Sequence, residues 1–172
     1  MRKDITIAAE PRSTRGKNEA RRLRVRGLAP AVVYGTGAEP VAVAVSPKEV
    51  GSILKSPSGH NTIFNVDMSG QVSPVMIVDW QHDPIKGKLL HVDLKRIDPA
   101  VRMAVRVPVH TTGEPRGVKI QGGLHEIITR EIEIESLPDE IPESFTMNVT
   151  ELGIGQSIRA GEIPLSGSIK LN

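Results

Sequence analysis

The chain has 172 residues with no cysteine, 38% hydrophobic and 24% charged residues, and a net charge of +2. That size suits one large or two small domains. The missing thiols exclude disulfides, cysteine-ligated zinc and cysteine nucleophiles together. The N-terminus has no signal-peptide core and no apolar run is long enough for a membrane span, so the expectation is a soluble cytosolic protein with no membrane contact. The small net charge hides a split. Residues 1–98 hold 15 Lys+Arg against 10 Asp+Glu, and residues 99–172 hold 7 against 10. A basic half joined to an acidic half implies two domains with different partners.

Taken in order, Ile5–Glu10 alternates apolar with small or polar residues and reads as a strand. The next stretch, Arg12–Arg26, carries seven cations (Arg12, Arg15, Lys17, Arg21, Arg22, Arg24, Arg26) against one acid, Glu19. A core has no use for so many uncompensated guanidinium groups, and Arg's planar fork matches phosphate and guanine edges. Gly16 divides the stretch into a loop bearing Arg12 and Arg15 and a helix from Lys17 to Arg26, ended by Gly27. At ~100° per residue, Ala20 and Leu23 give that helix a narrow docking stripe, with Lys17, Arg21 and Arg24 on one flank and Arg22 and Arg26 on the other. Ala31–Gly37 and Val41–Val45 read as a hairpin. Its Gly35-x-Gly37 lacks the third glycine and the following helix of a dinucleotide site. Tyr34 is a candidate contact whose alternative is a core-edge tyrosine. Ser46-Pro-Lys-Glu49 predicts a capped helix start, running through Val50, Ile53 and Leu54 to Pro57.

Asn61–Asp67 and Val75–Trp80 are predicted strands joined through Ser69-Gly70. Gln81–Lys88 is a polar link holding His82, Lys86 and Lys88. In the strand Leu89–Arg96 the pattern sends Leu90, Val92 and Leu94 one way and His91, Asp93 and Lys95 the other. A polar face with an acid, a base and an imidazole suits base edges. As a metal site it supplies two ligands, a third such as His82 would have to come from afar, and the five histidines have no HExxH spacing. No metal and no cofactor are expected. Near Ile97-Asp-Pro-Ala100 the composition changes, which divides the chain into domains 1–97 and 98–172. The second half reads as strands: Val101, Met103, Val105, Val107 and Val109 on one face, then Arg130–Glu135 alternating. Turns at Thr112–Pro115, Gln121–Gly123 and Pro138–Pro142 separate them. Glu131, Glu133, Glu135, Asp139, Glu140 and Glu143 give it an acidic surface. The fold class expected is mainly β with short helices, a β-barrel-like first domain and an all-β second domain, sandwich or roll.

Four ordered motifs, Arg12-x-x-x-Gly-Lys-x-x-x-Arg-Arg-Leu-Arg24, Pro30-Ala-Val-Val-Tyr-Gly35, Gln81-His-Asp-Pro and His91-Val-Asp-Leu, resemble the bacterial large-subunit ribosomal protein family that binds 5S ribosomal RNA. Gly117-Val-Lys-x-x-Gly-Gly123, Leu137-Pro-x-x-Ile-Pro-Glu143 and Leu152-Gly-Ile-Gly-Gln-Ser-Ile158 resemble the second domain of its two-domain CTC, or general-stress-protein, form. The resemblance implies a β-barrel-like domain bound to the loop E and helix IV region of 5S rRNA across its minor-groove side. The family's RNA-contacting positions fall on Arg12, Lys17, Arg21, Arg22, Arg24, Tyr34, His91 and Asp93, with His82, Lys86 and Lys88 as outer members. Arg15 joins them from the charge pattern. Glu19 and Ala20 depart from the small polar residues common before the paired arginines, and Glu19 adds a negative charge inside the basic run.

The implied role is structural, in the large ribosomal subunit, with cytoplasmic, ribosome-associated localisation and a monomer when free. Neighbouring ribosomal proteins or 23S rRNA are the expected partners of the second domain. Two other classes compete: a cytosolic hydrolase using His91, Asp93 and His82, and a regulatory protein–protein module. The chain has no nucleophile elbow, phosphate loop or metal-ligand set to serve the hydrolase.

Overall fold

The computed structural model describes residues 2–56, 58–163 and 169–171. The chain forms two compact units, residues 1–101 and 102–172. In the first, six strands close into a barrel: β1 (Arg2–Pro11), β2 (Ala29–Gly35), β3 (Ala38–Val45), β4 (Ile63–Met68), β5 (Gln71–His82) and β6 (Leu89–Arg96), in the order β1-β3-β2-β6-β5-β4. Four of the six neighbouring pairs are antiparallel: the hairpins β2–β3, β4–β5 and β5–β6, and β1 with β3. The exceptions are β2 with β6 and β1 with β4, which pair in parallel and complete the ring. Alternation explains the interior. Ile7, Val33, Val43, Val45, Phe64, Val66, Val75, Ile77, Val92 and Leu94 point inward and are almost fully buried. Helix α2 (Pro47–Leu54) adds Val50 and Ile53 to the same core.

Helix α1 (Lys17–Val25) begins after Gly16 and ends at Arg26, where Gly27 turns left-handed with φ 85°. Its interior matches the expected helix to within a residue. The expected capping box of α2 does not form: Ser46 precedes the helix, but its side chain makes no cap hydrogen bond. Pro47 at the first position, with its fixed φ, starts the helix instead. Pro57, expected to stop it, lies outside the described residues.

The second unit is a four-stranded sheet, ordered β10-β8-β7-β9. Its strands are β7 (Met103–Thr112), β8 (Glu131–Ser136), β9 (Phe145–Asn148) and β10 (Lys170–Leu171). Met103, Val105, Val107, Ile132 and Ile134 bury one face, and Glu131 and Glu133 stay exposed on the other. Val101 departs from the expected pattern. A turn in which the Val101 amide donates to the Asp98 carbonyl precedes β7 and leaves Val101 58% exposed. The unit also contains a short helix, α3 (Arg116–Gln121), where only strands and turns were expected. Pro115 precedes it and Gly122 ends it in the left-handed conformation.

Candidate nucleic-acid interface

The basic stretch is held on the barrel at both ends and along its helix. Helix α1 packs on β2, and the predicted stripe residues Ala20 and Leu23 are half-buried, together with Glu19. From its last turn, Arg24 donates from Nε and one terminal nitrogen to the carbonyl of Leu90 in β6, at 3.1 and 3.0 Å. A forked donor on a single oxygen fixes direction as well as distance. Arg22 is spent differently, in an ion pair with Glu19 on the exposed side. Glu19, the one acid of the run, therefore neutralises a cation one turn away. Arg15, Lys17, Arg21 and Arg26 are exposed, with no carboxylate in ion-pair reach among the described residues. Arg12 is not loose in a loop. It is half-buried, its amide donates to the Ala42 carbonyl at 2.9 Å, and its guanidinium reaches the Thr14 carbonyl at 3.4 Å.

One residue past Leu90 begins the polar face. His91 Nδ1 lies 2.9 Å from Asp93 Oδ1. At that distance an Nδ1–H donates to the carboxylate, which orients the ring. Strand pairing then assembles neighbours that the one-strand pattern does not reveal. Asp93 is registered with Val32 on β2 and with Asp79 on β5, and His91 with Gln81. Asp79 reaches this register because β5 is bulged. Ile77 pairs with Leu94 and Asp79 with Asp93, so Val78 is the extra residue and stands exposed. The Asp79 carboxylate accepts the Trp80 amide at 2.8 Å, which stabilises the bulge. Tyr34 sits one strand over, opposite Lys95. Burial, and then the negative charges of Asp93 and Asp79, push its phenol pKa above the ordinary value. It stays protonated, able to donate and to accept.

The hairpin joining β5 to β6 carries the outer cations. Asp83 Oδ1 accepts the amides of Ile85 and Lys86 at 2.9 and 3.0 Å, and those bonds lower its pKa below the usual carboxylate range. The Asp83 amide donates to the Lys88 carbonyl, and the Gly87 amide to the Asp83 carbonyl, each at 2.8 Å. The turn so closed holds Lys86 and Lys88 exposed, next to exposed His82 at the end of β5.

Residues 7–94 match the model of the Ribosomal L25p family, and residues 102–172 match that of the Ribosomal protein TL5, C-terminal domain. The chain belongs to the ribosomal L25p family. It is 38% identical over 168 residues to the Geobacter sulfurreducens protein named large ribosomal subunit protein bL25, covering 96% of this chain and 86% of that one. A protein of the same name from Desulfatibacillum aliphaticivorans is 37% identical, over 95% of this chain and 76% of its own.

All twelve residues singled out from sequence lie in the segment that matches the L25p family. The fold draws Arg24, His91, Asp93 and Tyr34 to one outer side of the barrel, and His82, Lys86 and Lys88 to the hairpin leading into the same strand. Strand pairing adds Asp79 and Gln81 to this face, opposite Asp93 and His91. The predicted strand Val75–Trp80 runs straight through Val78, so the pattern gives no sign of the bulge that registers Asp79 with Asp93. Among the described residues no cluster of three or more acids and imidazoles is arranged to hold a metal ion, and no helix is long and apolar enough to cross a membrane.

Proposed function

We propose that this chain binds 5S ribosomal RNA within the large ribosomal subunit, through the outer face formed by α1, β2, β5 and β6. As an L25p-family member with relatives named for the large subunit, it is a ribosome-associated structural protein and not an enzyme. The observation that carries the RNA reading is the Arg24–Leu90 anchor. It sets the helix that carries the unpaired cations Lys17 and Arg21 beside the His91–Asp93 pair, which supports reading phosphate binding and groove reading as one surface. Lys17 and Arg21 hold phosphates, while Tyr34, His91 and Asp93 meet base edges and 2′-hydroxyls in the wide minor groove of an A-form helix. A carboxylate on such a surface is suited to accept from an exposed amino group, such as guanine N2.

Binding to a 5S fragment spanning loop E and helix IV, measured over a salt series for the wild type, Arg21→Ala and Asp93→Ala, tests this reading. The expected result is weaker binding for both, with a salt slope lower by about one unit for Arg21→Ala only. Unchanged affinity in both variants would sink it.

A further inference from the structure

Two aliphatic side chains of the first unit stand almost wholly in water: Val25, 81% exposed, and Ile85, 91% exposed. Scattered exposed aliphatics are ordinary on any protein, so exposure alone carries nothing. What sets this pair apart is how each is held and what surrounds it.

Ile85 lies in the β5–β6 turn, where its own amide is fixed by Asp83 Oδ1 at 2.9 Å. The turn is further closed by the bonds from the Lys86, Gly87 and Asp83 amides. An isoleucine held out on a pinned turn, with exposed Lys86 beside it and Lys88 at its base, is presented rather than merely left over. Val25 is the last residue of α1. At ~100° per residue it lies on the side away from Leu23 and over Arg21, one turn earlier. Its neighbour Arg24 is held on Leu90, immediately after Leu89, which pairs with His82 where the hairpin begins. Both side chains therefore belong to the end of the barrel where β5 passes into β6, and both are set among cations.

We infer that Val25 and Ile85 are apolar contacts to ribose faces of the bound RNA, and that they supply a salt-independent part of its affinity. The inference rests on the RNA reading above. Cations around each aliphatic side chain select a polyanionic partner. The shallow minor groove of A-form RNA offers sugar C–H surface between its phosphate rows. Lysine and arginine on the flanks meet phosphates, and the aliphatic group between them displaces water from the sugars. A basic protein partner is disfavoured at this spot by the same charges.

The test is a salt series of affinities of the full chain for the 5S fragment, with Val25→Ser, Ile85→Ser and the double variant beside the wild type and Arg21→Ala. Both sites are exposed, so the variants should melt with the wild type, which a thermal scan verifies. Each single change is expected to weaken binding by about three- to tenfold at every salt concentration, with the slope unchanged. Arg21→Ala, in contrast, flattens the slope. A double variant that binds as tightly as the wild type overturns the inference and leaves the RNA reading standing. So does a loss that disappears at high salt. A wild type that ignores the fragment at low salt overturns both.

Discussion

Arg24 and Leu90 are 66 positions apart in sequence and joined by two hydrogen bonds from one guanidinium to one carbonyl, at 3.1 and 3.0 Å. Arg22, two residues earlier, is paired with Glu19 and turned to solvent. Two arginines of one helix thus have unequal tasks. Arg24→Ala should weaken binding to the 5S fragment by at least tenfold, because the helix loses its fixed position beside His91. Arg22→Ala should cost less than threefold, since its charge is already neutralised by Glu19. Arg24→Lys keeps the charge but not the fork, and should behave more like the alanine variant. Titration of the three variants against one RNA preparation ranks them, and equal losses for Arg22→Ala and Arg24→Ala would refute the division.

The His91–Asp93 pair makes a different prediction. Asp93→Asn keeps the shape and removes the full charge that orients Nδ1. Discrimination between the 5S fragment and an unrelated RNA duplex should fall, while affinity for the duplex stays level or rises as a repulsive charge is lost. Competition binding with the two RNAs measures the ratio. A ratio unchanged from the wild type would remove Asp93 from the set of discriminating residues.

The hairpin turn should respond to acid. Hydrogen bonds from the Ile85 and Lys86 amides favour ionised Asp83, so its folded pKa lies below the unfolded one. The turn's contribution is complete above the unfolded carboxylate value, about 3.9. It is lost as pH falls through the lower folded value. Amide shifts of Ile85 and Lys86 followed by NMR should therefore move together only in strongly acidic solution. In Asp83→Asn that titration should vanish.

Gly117 offers a test confined to the second unit. A Cβ built there would lie 2.8 Å from the Ile154 nitrogen and 2.9 Å from the Gly153 carbonyl carbon, both backbone atoms. The Gly117 amide also donates to the Leu152 carbonyl at 2.9 Å. Gly117→Ala must therefore push α3 away from the 152–154 segment, at a cost of about 1–3 kcal/mol. Residues 102–172 should unfold earlier in denaturant while Trp80, in the barrel, reports an unchanged transition. Coincident shifts of both signals would show that the clash is not confined to its own unit.

The β-hairpins and the basic helix were legible because each is a local device: alternation in β6, a glycine at each end of α1, a two-residue turn at Ser69-Gly70. What the sequence hid is what depends on a partner far along the chain. Parallel closure of β1 on β4 leaves no local signature, because neither strand carries turn chemistry for it. The anchoring role of Arg24 could not be told from the charge of its neighbours, since a carbonyl acceptor such as Leu90 can belong to any residue. Asp79 entered the candidate surface only through a bulge, visible when β5 is laid against β6. Ser46 shows the opposite failure, in which a correct local motif is not used. The short helix α3 has six residues, with Gly117 inside it and Gly122-Gly123 directly after it, too little for periodicity to register.

The closed barrel also sets an order of events during synthesis. Strand β2 stands between β3 and β6, so half of its ladder waits for residues 89–96 to emerge. Translation proceeds from the N-terminus at roughly 5–20 residues per second, so the cationic segment 12–26 is in solution seconds before its anchor exists. In that interval it is a short polybasic segment without the Leu90 carbonyl that fixes Arg24, and under the RNA reading proposed above its charge alone would attract any nucleic acid. Strand β6 is the last of the ring to be synthesised, and with it come His91 and Asp93, the residues to which that reading assigns discrimination.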